Sequence, residues 1–184
     1  MTAQSAARRW TYAEFARLPD DGNRYEVIAG ELYMTPAPHP FHQEVVIRLS
    51  EWLRPYVREH RLGRVIVSPV DVLFAEGDYF SPDLVFVRRE RREAITARGV
   101  EGPPDLVVEV VSPGGGPRDR VLKRQRYAGF GVPEYWVVDP MLRQVEVYRP
   151  DAEPFIASTT LEWRPQSTLP VLAIELAELF SEPD

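Results

Sequence analysis

Apolar positions along the chain change their spacing several times, and each change marks an element. In 40–60, Val45, Val46, Leu49, Trp52, Leu53, Tyr56 and Val57 recur at three and four residues, which predicts a long amphipathic helix with Pro40 at its first position. His42 lies one turn earlier on the same inward stripe. It reads either as a satisfied core histidine or as a site residue. Residues 24–34, RYEVIAGELYM, alternate, and predict a hairpin around Ala29-Gly30. Ile28 should then oppose Glu31, and Glu26 should oppose Tyr33, with Tyr25, Val27, Leu32 and Met34 on the apolar side. Glu26 and Glu31 share the other side, as a solvated face or as a source of a further carboxylate for a site.

The other elements follow the same logic. Thr11 and Glu14 have capping-box spacing for a short helix over 11–18, which Pro19 to Gly22 ends. Residues 35–39 are a proline-rich lead into the long helix. Residues 64–74 predict one or two strands interrupted at Ser68-Pro69, 76–81 a turn, and 82–87 a short strand with Asp83 at its mouth. The charged stretch 88–104 predicts a helical start and then a loop. Residues 134–139 and 144–149 predict a strand, a turn at Asp139-Pro140 and its hairpin partner. Residues 155–163 and 169–176 predict further short strands, and 177–180 a last turn.

The stretch 105–139 concentrates the chemistry. Residues 105–111 are apolar on both faces, with Leu106, Val108 and Val110 pointing one way and Val107, Glu109 and Val111 the other. That is the pattern of a central strand buried on both sides. A carboxylate there must be paired or metal-bound, because an isolated buried charge is too costly. Glu109 therefore has two open readings, a partner of an Arg or a metal ligand. The loop 112–117, SPGGGP, leads to a helix over 117–129 that ends at Gly129 or Gly131. On it Asp119, Lys123 and Tyr127 are four apart and stack on one face. The loop and the helix start offer N–H groups to an anion. Arg118, Arg120, Arg124 and Arg126 surround the face with positive charge and are candidates for nucleic-acid binding.

Composition sharpens one residue. Of 22 basic residues, 21 are Arg, and Lys123 is the remaining one. An ammonium is a compact point charge on a flexible stem, suited to a water or an oxyanion in a way that a planar guanidinium is not. Its isolation in an Arg-rich chain can also be a residue of codon bias. With 184 residues, 44% hydrophobic and 27% charged, the chain fits a single domain over 1–184 with a full core. It has no Cys, which excludes disulfides and thiolate zinc sites. No apolar run approaches a membrane span, and MTAQSAARRW lacks a signal-peptide core, so the expectation is a cytoplasmic protein with no membrane partner. The net charge of −6 argues against a uniformly basic coat for nucleic acid and leaves room for a local basic groove.

These elements predict a mixed α/β (α+β) layer, a central sheet flanked by helices, with an N-terminal hairpin and a C-terminal β extension. Asp83 and Glu109 can then be neighbours in the sheet. Two such carboxylates need a cation or a proton between them, and oxygen ligands without thiols point to Mg²⁺ or Mn²⁺. With Lys123 nearby, the set is that of a metal-dependent phosphodiesterase.

The pieces PD at 82–83, DLVVEVVSP at 105–113, Lys123 and YAGFGVPEYWVVDP at 127–140 resemble the Uma-two family of restriction-endonuclease-like proteins. RYEVIAGEL at 24–32 and GRVIVSPVDV at 63–72 extend the resemblance over nearly the whole chain. The family is similar to the PD-(D/E)XK nucleases. The resemblance implies a restriction-endonuclease-like core, metal ligation by Asp83 and Glu109, and DNA as substrate. It also departs from the usual pattern. The position two residues after the acid, where the lysine usually stands, is Val111, so Lys123 must reach the same point from the following helix. Glu26, Glu31 and His42 match positions that the family tends to keep, and they join Tyr127 as accessory candidates. Cutting both strands of a duplex would suit a twofold dimer. Two other readings remain: a nucleic-acid-binding or interaction domain on a nuclease-like fold that has lost turnover, and a carboxylate-pair glycosidase, which has no use for Lys123.

Overall fold

The structure is a computed structural model that describes residues 9–35, 37–112 and 118–181. Helix α1 (Tyr12–Phe15) opens it, and Thr11 and Glu14 form the reciprocal capping box that their spacing predicts. Strands β1 (Arg24–Ile28) and β2 (Glu31–Thr35) form the expected hairpin, with Ile28 opposite Glu31 and Glu26 opposite Tyr33. Both turn residues have positive φ, +55° at Ala29 and +88° at Gly30, as a two-residue primed turn requires. The turn is held from outside. Ala29 N–H donates to Asp78 Oδ1 at 2.9 Å, and Gly30 N–H donates to the Gly77 carbonyl at 2.7 Å.

The long helix is α2 (Pro40–Glu59), and its inward stripe is buried as the periodicity requires. Strands β3 (Gly63–Val67), β4 (Val72–Ala75), β5 (Asp78–Phe80) and β6 (Leu84–Arg88) follow. The expected turn over 76–81 is corrected here. Asp78, Tyr79 and Phe80 form a strand, because pairing with β1 and β4 buries all three, and only the tip at Gly77 (φ +85°) turns. The charged stretch after β6 is a 3-10 turn (Arg89–Ala94), then strands β7 (Ile95–Thr96) and β8 (Gly99–Glu101). Its expected loop is thus partly a small hairpin on a sheet edge.

Strand β9 (Leu106–Val110) is the central strand, with all five residues buried. The next helix begins as a π-helical turn (Arg118–Lys123) and continues as α3 (Arg124–Gly129). The Gly114–Gly116 loop and Pro117 lie outside the described residues. Strands β10 (Tyr135–Asp139), β11 (Gln144–Tyr148), β12 (Phe155–Ala157), β13 (Thr160–Trp163) and β14 (Leu172–Glu175) and helix α4 (Leu176–Leu179) complete the described chain. Residues 155–163 thus give two strands, not one.

The main sheet has the order β12-β11-β10-β9-β6-β3. Only β9 and β10 run parallel within it, joined by the crossover helix, and the other pairs are antiparallel. A second sheet has the order β2-β1-β5-β4-β8-β7, and β13 pairs with β14. The parity of β9 sorts the core in two. Leu106, Val108 and Val110 face α2 and pack with Val45, Leu49, Leu53 and Trp136. Val107 faces the other way, among Ile28, Val72, Phe80, Tyr127 and Val137 between the two sheets. Burying each of these large side chains contributes about 1.5–3 kcal/mol. Glu109 shares the parity of Val107, so its carboxylate points into the space between the sheets, beneath α3. Among the described residues no helix is long and apolar enough to cross a membrane.

Candidate active site

Asp83 and Glu109 line one cavity because β6 and β9 are antiparallel neighbours. Leu84 is paired with Val108, which sets Asp83 and Glu109 at the next step where the ladder ends. Asp83 is 2% exposed, and its carboxylate already has three donors. Arg24 Nη1 donates to Oδ1 at 2.7 Å, while Val110 N–H at 2.8 Å and His42 Nε2 at 3.1 Å lie against Oδ2. The second arm of Arg24 donates to Ser68 Oγ. Burial works to raise the Asp83 carboxyl, but the hydrogen bond and charge of His42 and then the charge of Arg24 outweigh it and hold the group below the ordinary range.

Glu109 lies across from Lys123. The Lys123 ammonium donates to Glu109 Oε1 at 2.9 Å, sits 2.9 Å from Glu26 Oε1, and is 3.6 Å from Asp119 Oδ1. Tyr127 Oη donates to the same Glu109 Oε1 at 2.7 Å, and Ser81 N–H donates to Glu26 Oε1 at 3.0 Å. All of these side chains are buried. For Lys123, burial works against the charge, yet the carboxylates of Glu109, Glu26 and Asp119 outweigh it and raise the ammonium pKa. Glu109 is raised well above the usual carboxylate range. Burial is the main cause and Lys123 opposes it, while the negative charges of Glu26, Asp119 and Asp83 add to it. Asp119 is raised by burial in the same way, with Glu26 and Asp83 adding and Lys123 opposing. One ammonium thus holds three carboxylates that repel each other.

The two clusters line one cavity of about 520 Å³, with Met34, His39, Ser112 and Arg118 also on its wall. Of the residues singled out by sequence, Asp83, Glu109, Lys123, Glu26, His42 and Arg118 come together here. Tyr127 adjoins through Glu109. Of the two readings of Glu109, its pairing partner is Lys123 and not an Arg. The stacked face of Asp119, Lys123 and Tyr127 is buried, not a surface pair. Glu31 does not join them. It is exposed on β2 and accepts from Tyr33 Oη at 3.1 Å.

Of the four arginines expected to surround the helix face, three lie off the cavity wall. Arg120 lies between Glu146 Oε1 and Asp139 Oδ2, at 2.6 Å from each. Arg126 is paired with buried Asp78 in a bidentate bridge that ties α3 to the β1–β2 hairpin. Arg124 lies 4.2 Å over the ring of Tyr148. Arg118 alone of the four lines the cavity, with its guanidinium 4.9 Å over the Tyr33 ring and Nη1 donating to Thr35 Oγ1 at 3.2 Å.

Sequence reasoning missed Arg24 as a site residue and saw Asp119 only as a helix-face partner. Strand parity held the signal for Arg24, since it shares a ribbon face with Glu26 two residues on. His42 Nδ1 is buried with no hydrogen-bond partner among the described residues.

A mixed sheet with a parallel crossover, and two strand carboxylates and a lysine of the crossover helix lining one cavity, defines a restriction-endonuclease-like α+β protein. The family model of Uma2, "Putative restriction endonuclease", matches residues 12–177, and the chain belongs to that family. A crystal structure of "a putative nuclease belonging to DUF820" from Anabaena variabilis is similar in fold, with a TM-score of 0.73. The similarity covers 93% of this chain and 97% of that one at 22% identity. No curated protein matches the sequence.

Proposed function

We propose that the protein is a metal-dependent endonuclease that hydrolyses phosphodiester bonds in DNA. The observation that carries this reading is the position of the Lys123 ammonium, 2.9 Å from Glu109, in the cavity that Asp83 also lines. A structural role alone would be served by an apolar core, since a buried ion-pair cluster adds little net stability over apolar packing.

The donor set fits a hard divalent ion. It is all oxygen, and the carboxylates outnumber the ammonium; burial is the main cause that raises Glu109 and Asp119, and the repulsion that adds to it would be relieved by a cation. Among the described residues no three acidic or histidine side chains are grouped closely enough to hold a metal ion by themselves. Mg²⁺ commonly takes one or two protein carboxylates and fills its other positions with water and substrate phosphate. Asp83 and Glu109 would hold it. A carboxylate has about four acceptor positions, and three are in use at Asp83. The contacts of Glu109 fall on Oε1, which leaves Oε2. When bound, the ion would polarise the phosphoryl oxygen and acidify a water.

The chain's own groups divide the remaining work. Lys123 would orient the attacking water or offset charge on the phosphorane, as a positioned cation in a site shielded from water. Tyr127 holds Glu109, a partner of that ammonium, and Glu26 holds the ammonium directly. Arg24 and His42 hold Asp83 ionised and in place. Arg118 would contact a phosphate at the rim.

Cleavage of plasmid DNA with Mg²⁺ tests the reading. Lys123→Ala and Asp83→Ala should each abolish metal-dependent cleavage, and calorimetry should register Mg²⁺ or Mn²⁺ binding to the folded wild type. Cleavage retained by both variants would end it. DNA binding without cleavage or metal binding would leave a nucleic-acid-binding domain on this fold.

A further inference from the structure

One short segment before α2 forms part of the cavity wall. Ala37, Pro38 and His39 all line it. His39 stands between Pro38 and Pro40, and the following proline confines its backbone to the extended region, where φ −64° and ψ 146° place it. The side chain is exposed, whereas Asp83, Glu109 and Lys123 are buried. His39 is therefore held at the mouth of the cavity, on a backbone with little freedom to lose.

His39 is also the N-cap of α2. Its Nδ1 accepts from the Phe41 N–H at 3.3 Å. Capping alone does not call for an imidazole. Asn, Asp and Ser are the better caps, and this bond is longer than the roughly 3 Å usual for a backbone N–H. What an imidazole adds is a second polar atom on the far edge of the ring. Because Nδ1 accepts, the ring proton is on Nε2. Among the described residues Nε2 has no hydrogen-bond partner. The cap thus fixes both the tautomer and the orientation of a free donor.

The surroundings favour an anion as the acceptor. Helix α2 is 20 residues long, and its first turn holds no acidic residue, so the positive pole of its dipole is not offset at this end. His42, three residues on, lines the same cavity, and its buried Nδ1 is a further polar atom without a partner. The cations deeper in the cavity are committed to carboxylates, Arg24 to Asp83 and Lys123 to Glu109 and Glu26. Among the described residues, neither His39 nor Arg118 is in an ion pair, so these two lining residues keep a donor for a ligand.

We infer that His39 is a DNA-contact residue: its Nε2–H donates to a backbone phosphate oxygen beside the scissile one, at the mouth of the cavity. The choice of ligand rests on the nuclease reading, but the test is binding alone. Fluorescence anisotropy would use the full chain, without divalent metal, and a labelled DNA oligonucleotide in whichever form, duplex or single-stranded, the wild type binds more tightly. Asn and Asp both cap a helix well, so neither His39→Asn nor His39→Asp should lower the melting temperature. His39→Asn should weaken binding about tenfold, because a hydrogen bond to a charged group is lost. His39→Asp should weaken it at least about a hundredfold, because a like charge then faces the phosphate. Wild-type affinity in His39→Asn would overturn the inference, since a residue merely near the DNA would respond only to the charge of Asp. A melting temperature that falls together with the affinity would overturn it, as would no DNA binding by the wild type. Weakened binding by His39→Asn without any metal-dependent cleavage by the wild type would uphold this inference while the nuclease reading failed. Metal-dependent cleavage with unchanged His39→Asn affinity would do the reverse.

Discussion

Lys123 Nζ and Glu109 Oε1 lie 2.9 Å apart and buried, joined across the gap between a crossover helix and the central strand that precedes it. The same ammonium also meets Glu26 from the second sheet, so one cation ties three separate elements together. Its removal should therefore be felt as more than one lost contact. Lys123→Met, which keeps the stem volume, should destabilise the fold by about 3–5 kcal/mol at neutral pH, because buried carboxylates lose their counter-charge. The loss should shrink as the pH falls and the carboxylates protonate. Adding Glu109→Gln should recover part of it, with a coupling of roughly 1–3 kcal/mol. Urea denaturation of the two single variants and the double variant measures this cycle.

Tyr127 is fully buried and donates to the Glu109 oxygen that Lys123 also holds. Tyr127→Phe keeps the ring packing and deletes only that donor. The expected cost is about 1–3 kcal/mol, read from the urea midpoint at an unchanged slope.

Asp83 sets the behaviour in acid. Its folded pKa is depressed, so it contributes stability that is fully present above the ordinary carboxylate pKa and is lost as pH falls through the lower, folded value. His42 is the first of the groups that overcome the effect of burial. In His42→Ala the folded pKa should rise, and acid unfolding followed by circular dichroism should begin at a higher pH than in the wild type.

Asp71 should act in the opposite sense. Burial, with a contribution from Glu26, pushes its carboxyl up from 3.8 to about 6. The folded state then holds a proton that the unfolded chain releases, so this residue's contribution falls as pH rises from about 4 to about 6 and is constant above that. Asp71→Asn should flatten the melting-temperature profile in that window and leave it parallel to the wild type at higher pH.

What was legible in the chain was whatever depends on neighbours a few residues away. The α2 stripe, the β1–β2 register, the capping box at Thr11 and the two-sided burial of β9 all follow from periodicities of 3.6 and 2, and the structure carries each of them. Local pattern predicts a turn at Asp78–Phe80, whereas its strand character comes from the partners on either side and not from three residues of sequence.

For the site, the sequence determined the inventory: one lysine, a glutamate where an apolar side chain would be easier to bury, and an acid at the mouth of a short strand. Pairing of β6 with β9 and docking of the crossover helix on the second sheet decided the rest. They fixed that Glu26 and not Glu31 faces the ammonium, and that Arg24 and His42 converge on Asp83. They also turned Arg120 and Arg126 to intramolecular acids and left Arg118 at the cavity. The physical reason is range. Side-chain direction along a strand or helix is a local property, whereas the partner of a buried charge is chosen by whichever element packs against it.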